Sequence, residues 1–203
     1  MRFQKSFSLL LVLCLALSAC THDRKTSHTP AGISQTSAVR LDLVPFGAAE
    51  SVSPTRATRP LDAATSKAGL AVVQRWFEAS SLDPLLKGRA GSIDGLFTPD
   101  AVRQAATLDR SAMYDEGLPR VTRLTATQHA VQLTSFADDA DQPAILVAKF
   151  VWDLRGDGDR VHAVRRGELV MTPAFGMWFV SAYEVSAART TDGRTTTTTA
   201  VKH

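Results

Sequence analysis

The sequence predicts an α+β domain, with helices first and an antiparallel sheet after them, on three observations. Apolar residues from Leu70 through Val72, Val73 and Trp76 to Phe77 recur at helical spacing. From about Arg120 the period changes to two, most clearly at Leu146, Ala148, Phe150, Trp152 and Leu154. Short polar or Gly/Pro turns separate the later segments, so the strands join as a meander and not through the helical crossovers of a parallel sheet.

Each element has its origin in local chemistry. The first helix starts after Asp62, Thr65 and Ser66, residue types whose side chains cap exposed N–H groups. Gly88, Gly91 and Gly95 break the next stretch of chain into short pieces, with one turn of helix expected from Ser92 to Phe97. Thr98-Pro99-Asp100-Ala101 opens a second helix: threonine to cap, proline at the first helical position, and a carboxylate where the helix dipole favours it. Val102, Ala105 and Ala106 continue it. Four strands are expected at Val121–Phe136, Leu146–Leu154, Val161–Met171 and Met177–Val185. The turns between them fall at 137–142, at Gly156-Asp157-Gly158-Asp159, and at Thr172-Pro173-Ala174-Phe175-Gly176.

The chain has 203 residues, 44% hydrophobic and 21% charged, which suits one core with flanking segments. Its start reads as an export signal: Arg2 and Lys5, then an apolar run from Phe7 to Leu17, too short for a permanent membrane span. Leu17-Ser18-Ala19-Cys20 resembles the bacterial lipobox, whose cysteine thiol takes a diacylglyceryl group before cleavage in front of it. The plainer alternative is an ordinary signal peptide beside an unrelated cysteine. On the lipobox reading, residues 1–19 are a signal, Cys20 is acylated, and the membrane is the first partner. Two acyl chains convert transient contact into stable anchoring on the outer face of the cell membrane. Cys14 leaves with the signal, so the exported body has no thiol and no disulfide. Seventeen arginines against six lysines fit a GC-rich bacterial genome.

Residues 20–61 read as the lipidated cysteine and a flexible linker, with 11 Ser or Thr and 4 Pro between 21 and 61. Within it, Val39-Arg40-Leu41-Asp42-Leu43-Val44 alternates like an edge strand. Residues 190–203, with Thr195 to Thr199, read as a disordered Thr-rich tail or a glycosylated one. The domain is then 62–189. It holds 14 basic and 16 acidic residues, a net −2, whereas the whole chain carries +3. The basic character lies in the ends, so the charge gives no support for a nucleic-acid partner.

A Trp76-Phe77 pair on the first helix, a Gly-rich break, Leu96-Phe97-Thr98-Pro99-Asp100, Phe150-Val151-Trp152, Arg166-Gly167-Glu168-Leu169 and the closing run from Met177 to Val185 occur in that order. This arrangement resembles the nuclear transport factor 2-like superfamily, in particular exported actinobacterial lipoproteins of the mammalian-cell-entry-associated kind. The resemblance implies a cone, with helices packed into a strongly curved sheet of four or more strands and a pocket at the open end. Superfamily members include isomerases, dehydratases, ligand binders and inert scaffolds, so the fold alone assigns no activity.

Residues that carry chemistry are few. Tyr114, Asp115, Glu116, Asp153, His162, Glu168 and Tyr183 are the candidates for proton transfer, and none sits in a recognisable catalytic set. Asp153 and His162 flank one hairpin and come within reach of each other, while Arg165 and Arg166 beside Glu168 point to an ion-paired sheet face. The five histidines show no metal-binding spacing. Asp157, Asp159 and Glu168 mimic the ends of a calcium loop, but Val161 and His162 occupy its fifth and sixth positions. Asp138, Asp139 and Asp141 read as a solvated turn, and no nucleophile elbow or phosphate-cradling glycine loop is present. No metal or cofactor is expected. The remaining signal is aromatic: Trp76, Phe77, Phe150, Trp152 and Trp178, with Tyr114, His162 and Tyr183, are the candidate lining of a pocket. Core packing is the competing assignment for the same rings. The expectation is a non-enzymatic domain that binds an envelope protein or a hydrophobic small molecule. An isomerase or dehydratase acting on a small hydrophobic substrate is the alternative.

Overall fold

Asp62 starts the first helix as its chemistry predicts: the carboxylate accepts from Thr65 N at 2.8 Å, which holds that carboxyl below its usual range. The computed structural model describes residues 44, 45 and 47–203. Three short strands, β1 (Val44–Pro45), β2 (Glu50–Val52) and β3 (Arg59–Pro60), precede helix α1 (Ala63–Phe77). Helix α1 buries Gly69, Val72, Val73, Trp76 and Phe77, one stripe at 3–4 residue spacing. It approaches the sheet closely enough that a Cβ on Gly69 would meet the Leu146 side chain at 2.3 Å. A π-helical turn, Glu78–Leu82, then widens the helix by one residue before α2 (Asp83–Lys87).

Helix α3 (Pro99–Ala106) begins at the predicted Thr98-Pro99 signal, although the Thr98 side chain makes no capping bond. Instead Thr98 is fixed through its backbone, with N donating to Val180 O at 2.9 Å and O accepting from Val102 N at 2.8 Å. The expected helical turn at 92–97 is a tight turn, closed by Leu96 N to Ile93 O, and Phe97 bridges Val180. Helix α4 (Arg110–Met113) leads to the long strands β4 (Leu124–Ala137), β5 (Pro143–Gly156), β6 (Val161–Ala174), β7 (Met177–Thr191) and β8 (Arg194–Lys202). Among the described residues no helix is long and apolar enough to cross a membrane.

The strands form one sheet in the order β3-β2-β4-β5-β6-β7-β8, with β1 alongside β4. From β4 to β8 all neighbours are antiparallel, while β1 and β2 run parallel to β4. The class is α+β, and the sheet is curled without closing. Leu146, Ala148, Phe150, Trp152 and Leu154 all face the helices and are buried, as the alternation predicts. Among the described glycines, Gly167 on β6 lies tightest against a neighbour, because a Cβ there would meet Glu184 O at 1.9 Å.

Two flanking segments differ from the sequence expectation. Residues 190–203 are not a disordered tail: β7 continues to Thr191, and β8 returns antiparallel from Arg194. Asp192 (φ 47°) and Gly193 (φ 79°) make the turn, a two-residue hairpin connection with both centres left-handed. Residues 20–61 are not wholly linker, since β1, β2 and β3 lie in the sheet and Leu61 is buried. Val44 of the expected edge strand pairs with Ala130, whereas 39–43, Cys20 and the signal segment lie outside the described residues.

The β6–β7 turn is shorter than the sequence expectation. Pro173 and Ala174 belong to the strand, and Phe175 (φ 51°) and Gly176 (φ 74°) alone reverse the chain. Phe175 is 96% exposed, so nothing offsets its left-handed backbone. Phe175→Asn keeps the turn and removes about 1 kcal/mol of strain, so the thermal unfolding midpoint rises.

Candidate functional site: a buried arginine under aromatic rings

Alternation along the strands decides what faces the helices. Trp152 on β5 and Arg165 on β6 are cross-strand partners on the buried face. Helix α1 lays Trp76 and Phe77 over them. Ring centroids are 4.6 Å apart for Phe150–Trp152, 4.8 Å for Phe77–Trp152, and 5.0 Å for Trp76–Trp152 and Trp76–Phe150. The Arg165 guanidinium carbon lies over both indoles, 5.7 Å from each centroid. That placement gives the cation two negative ring faces inside the core.

The rest of the guanidinium is met by oxygen. The π-helical turn brings Ser80 and Ser81 inward, and their hydroxyls accept from Arg165 Nη1 at 2.9 and 3.0 Å. Arg165 Nη2 is 2.9 Å from Asp115 Oδ1, an ion-pair contact off the hydrogen-bonding direction. Asp115 Oδ1 also accepts from Arg189 Nε at 2.8 Å, and Oδ2 accepts from Ser81 Oγ at 2.7 Å. Arg189 reaches on to the Tyr114 carbonyl at 2.5 Å and to Thr198 Oγ1 on β8 at 3.3 Å. Arg165, Asp115 and Arg189 are all buried, so two cations share one carboxylate. Burial pushes the Arg165 guanidinium down to about 10, against the upward pull of Asp115.

The tyrosines border this network. Tyr183 Oη donates to Asp109 Oδ2 at 2.6 Å, and the Tyr114 ring is covered by the Arg110 guanidinium at 5.0 Å. Burial pushes the Tyr114 phenol up to about 12. Burial and the bond to Asp109 raise Tyr183 as well.

Six of the eight residues expected to line a pocket therefore meet around one buried centre or its border: Trp76, Phe77, Phe150, Trp152, Tyr114 and Tyr183. They pack on one another. Trp178 is half-buried against the margin of the core, opposite Pro173 near the β6–β7 turn. His162 alternates with the buried Val161 and Ala163 and so occupies the other face of the sheet. There it meets Asp153, as its place in the hairpin predicts, with Nε2 and Oδ1 at 2.9 Å. Glu168 pairs with Lys149 on the exposed face, and Glu116 forms a two-pronged pair with Arg110. Arg165 is the principal departure from the ion-paired sheet face expected there: it points inward. Among the described residues no three of His, Cys, Asp and Glu gather in a way that would hold a metal ion. A surface depression of about 260 Å³ at the β5–β6 turn is lined by Arg123, Thr125, Arg155 and Asp157–Asp159, not by the aromatic residues.

No family model, curated protein or solved structure matches the chain.

Sequence reasoning missed Arg189, Ser80 and Ser81, and it found Asp115 without its partners. One signal was available: Val161-x-Ala163-x-Arg165 and Val185-x-Ala187-x-Arg189 each end an apolar row on a guanidinium.

The geometry generates two tests. Asp115→Asn leaves two buried guanidinium groups without a counter-charge, and its cost in urea unfolding is roughly 3–5 kcal/mol. Tyr114 and Tyr183 are the only tyrosines in the chain, and both folded phenols hold their protons above the unfolded value of 10.0. Their contribution to stability is complete below that value and is lost as pH rises from it through the folded value, about 12 for Tyr114. Tyrosinate absorbance of the folded protein therefore stays flat past pH ~10.5 and rises together with unfolding.

Proposed function

We propose that this chain is an exported lipoprotein held on the outer face of the cell membrane by acyl groups on Cys20. Its domain is a nuclear transport factor 2-like cone that binds an envelope protein or a hydrophobic small molecule without catalysing a reaction. The anchor rests on Arg2, Lys5, the apolar run Phe7–Leu17 and the Leu17-Ser18-Ala19-Cys20 motif. One observation carries the non-enzymatic reading. Trp76 and Trp152, both with no exposed surface, fill the ground between helix and sheet where an isomerase or dehydratase needs room for substrate. Asp153 and His162, the nearest approach to an acid–base pair, stand on the opposite face. A packed interior directs recognition to the outside of the domain and makes a protein the stronger partner.

Cys20→Ser tests the anchor: the variant moves from the membrane to the soluble fraction, and the mass of its N-terminal peptide lacks a diacylglyceryl group. Continued sedimentation with membranes rejects the anchor. Native mass spectrometry of the wild-type protein, extracted from its own membrane, tests the binding reading. A retained protein or lipid supports it, and an empty monomer counts against it.

A further inference from the structure

The β6–β7 turn differs from the other hairpin turns of the sheet, which all carry aspartate. Among the described residues other than glycine, five have positive φ: four are aspartates, whose short polar side chains tolerate it, and the fifth is Phe175. Pro173 to Met177 are consecutive exposed residues, with Phe175 at 96% and Met177 at 56%. Trp178 and Phe179, next along β7, are half-buried. No residue from Leu169 to Tyr183 is charged, and the cross-strand row of Lys149, Glu168 and Glu184 bounds that apolar stretch. Outer pairing is missing at this end as well. Strand β5 pairs with β6 as far as Met171, and β8 with β7 as far as Tyr183.

A phenyl ring held in water on a strained backbone is costly unless something apolar covers it. Five tip residues offer less than the roughly 800 Å² per partner that a stable protein interface buries. They suit hydrocarbon better. A strand rises about 3.3 Å per residue, so with Trp178 at the lipid–water boundary the turn reaches about 7 Å into the apolar region. Lipid is also what lies near, on the anchored reading from which this inference takes its bilayer. About 24 residues separate Cys20 from Val44, where the described chain joins β4, and they span at most about 80 Å. Such a tether keeps the tip at high effective concentration beside the membrane, so weak insertion suffices. The turn between β4 and β5, at the same end of the sheet, holds Asp138, Asp139 and Asp141, the last paired with Arg56 and Arg59. Apolar transfer, and not attraction to anionic headgroups, therefore has to supply the contact. We propose that the β6–β7 hairpin tip, led by Phe175 and Met177, inserts into the lipid bilayer as a second membrane contact beside the acyl anchor.

The test uses the exported chain from position 20 onward, carrying Cys20→Ser so that no acyl group takes part, with phosphatidylcholine vesicles. Fractionation of the wild-type chain reads the anchor separately, so either contact can fail without the other. The unacylated chain floats with the vesicles, and added salt does not release it. Trp76 and Trp152 have no exposed surface, so the blue shift of emission on adding vesicles comes from Trp178 and is absent in Trp178→Phe. Lipids brominated near the headgroup end of the acyl chain quench that emission more than lipids brominated at its far end. Phe175→Asn lowers the partition about tenfold while its unfolding midpoint rises, which separates lost insertion from lost folding. Met177→Gln lowers it in the same direction, and the apolar Phe175→Leu keeps most of it. Absence of flotation, or a partition unchanged in Phe175→Asn, overturns the proposal. Flotation that requires phosphatidylglycerol and is reversed by salt also overturns it, since it places the contact on the arginines around the β5–β6 turn. Self-association abolished by Phe175→Asn, without flotation, overturns it in favour of a protein contact.

Discussion

A guanidinium at the centre of an aromatic core sets conditions that the rest of the domain has to meet. Arg165 is fully buried, and an unpaired charge there would cost more than most single interactions return. Its partners come from separate parts of the chain: Ser80 and Ser81 from the π-helical turn, Asp115 from the segment after α4, and Trp76 and Trp152 from α1 and β5. Arg189 from β7 and Thr198 from β8 complete the shell through Asp115. Without the widened turn after α1, the serines would lie on a different side of the helix axis. A one-residue slip of β6 would turn Arg165 out to solvent and Arg166 inward. The cluster therefore acts more on register and uniqueness than on net stability, since a well-packed apolar replacement can be as stable as a buried ion pair.

The same requirement accounts for the length of the sheet. Arg189 falls beyond the end at Val185 that apolar alternation suggests, and β7 has to run on for it to reach Asp115. The next strand, β8, then covers the flank of β7 with threonines that are mostly exposed. It is held from the helical side, where Thr198 Oγ1 donates to Ser111 O at 3.1 Å and Gln104 Nε2 to Val201 O at 3.0 Å. At the opposite edge, β2 and β3 are two or three residues long, and Arg56 and Arg59 both pair with Asp141 at 2.8 Å. Short or polar edges with charged side chains blunt strand-to-strand association, so neither end of the sheet presents a long apolar edge.

How much could be read in advance depended on whether a residue's role is local. The Asp62 cap and the Thr98-Pro99 start depend on backbone groups within one turn, and the structure has both helices there. The β5 row depends only on a period of two, and all five residues are buried. The short strands β1 and β2 are different: their pairing with β4 joins segments about 80 residues apart, and two or three residues are too few to show a period. Strand β8 was legible in principle, because Asp192-Gly193 between threonines is a strong short-range hairpin signal. A run of five threonines hid it: composition reads as solubility, whereas the β-branched side chain favours an extended backbone.

The candidate site divides along the same line. Rings at Trp76, Phe77, Phe150 and Trp152 were expected together because two periodicities place them on facing surfaces. Arg165 escaped because charge is ordinarily a surface property, and nothing near it in sequence offers a counter-charge on the buried face. Its carboxylate partner is 50 positions earlier, on no periodic element. Hydrophobic alternation reports which face is buried but gives no measure of the partners waiting there. An arginine in phase with a buried apolar row is therefore informative in itself: it calls for a carboxylate, hydroxyls and ring faces from elsewhere in the fold. Here those groups are Asp115, Ser80, Ser81 and the two indoles, and meeting that demand turns a simple meander into this particular domain.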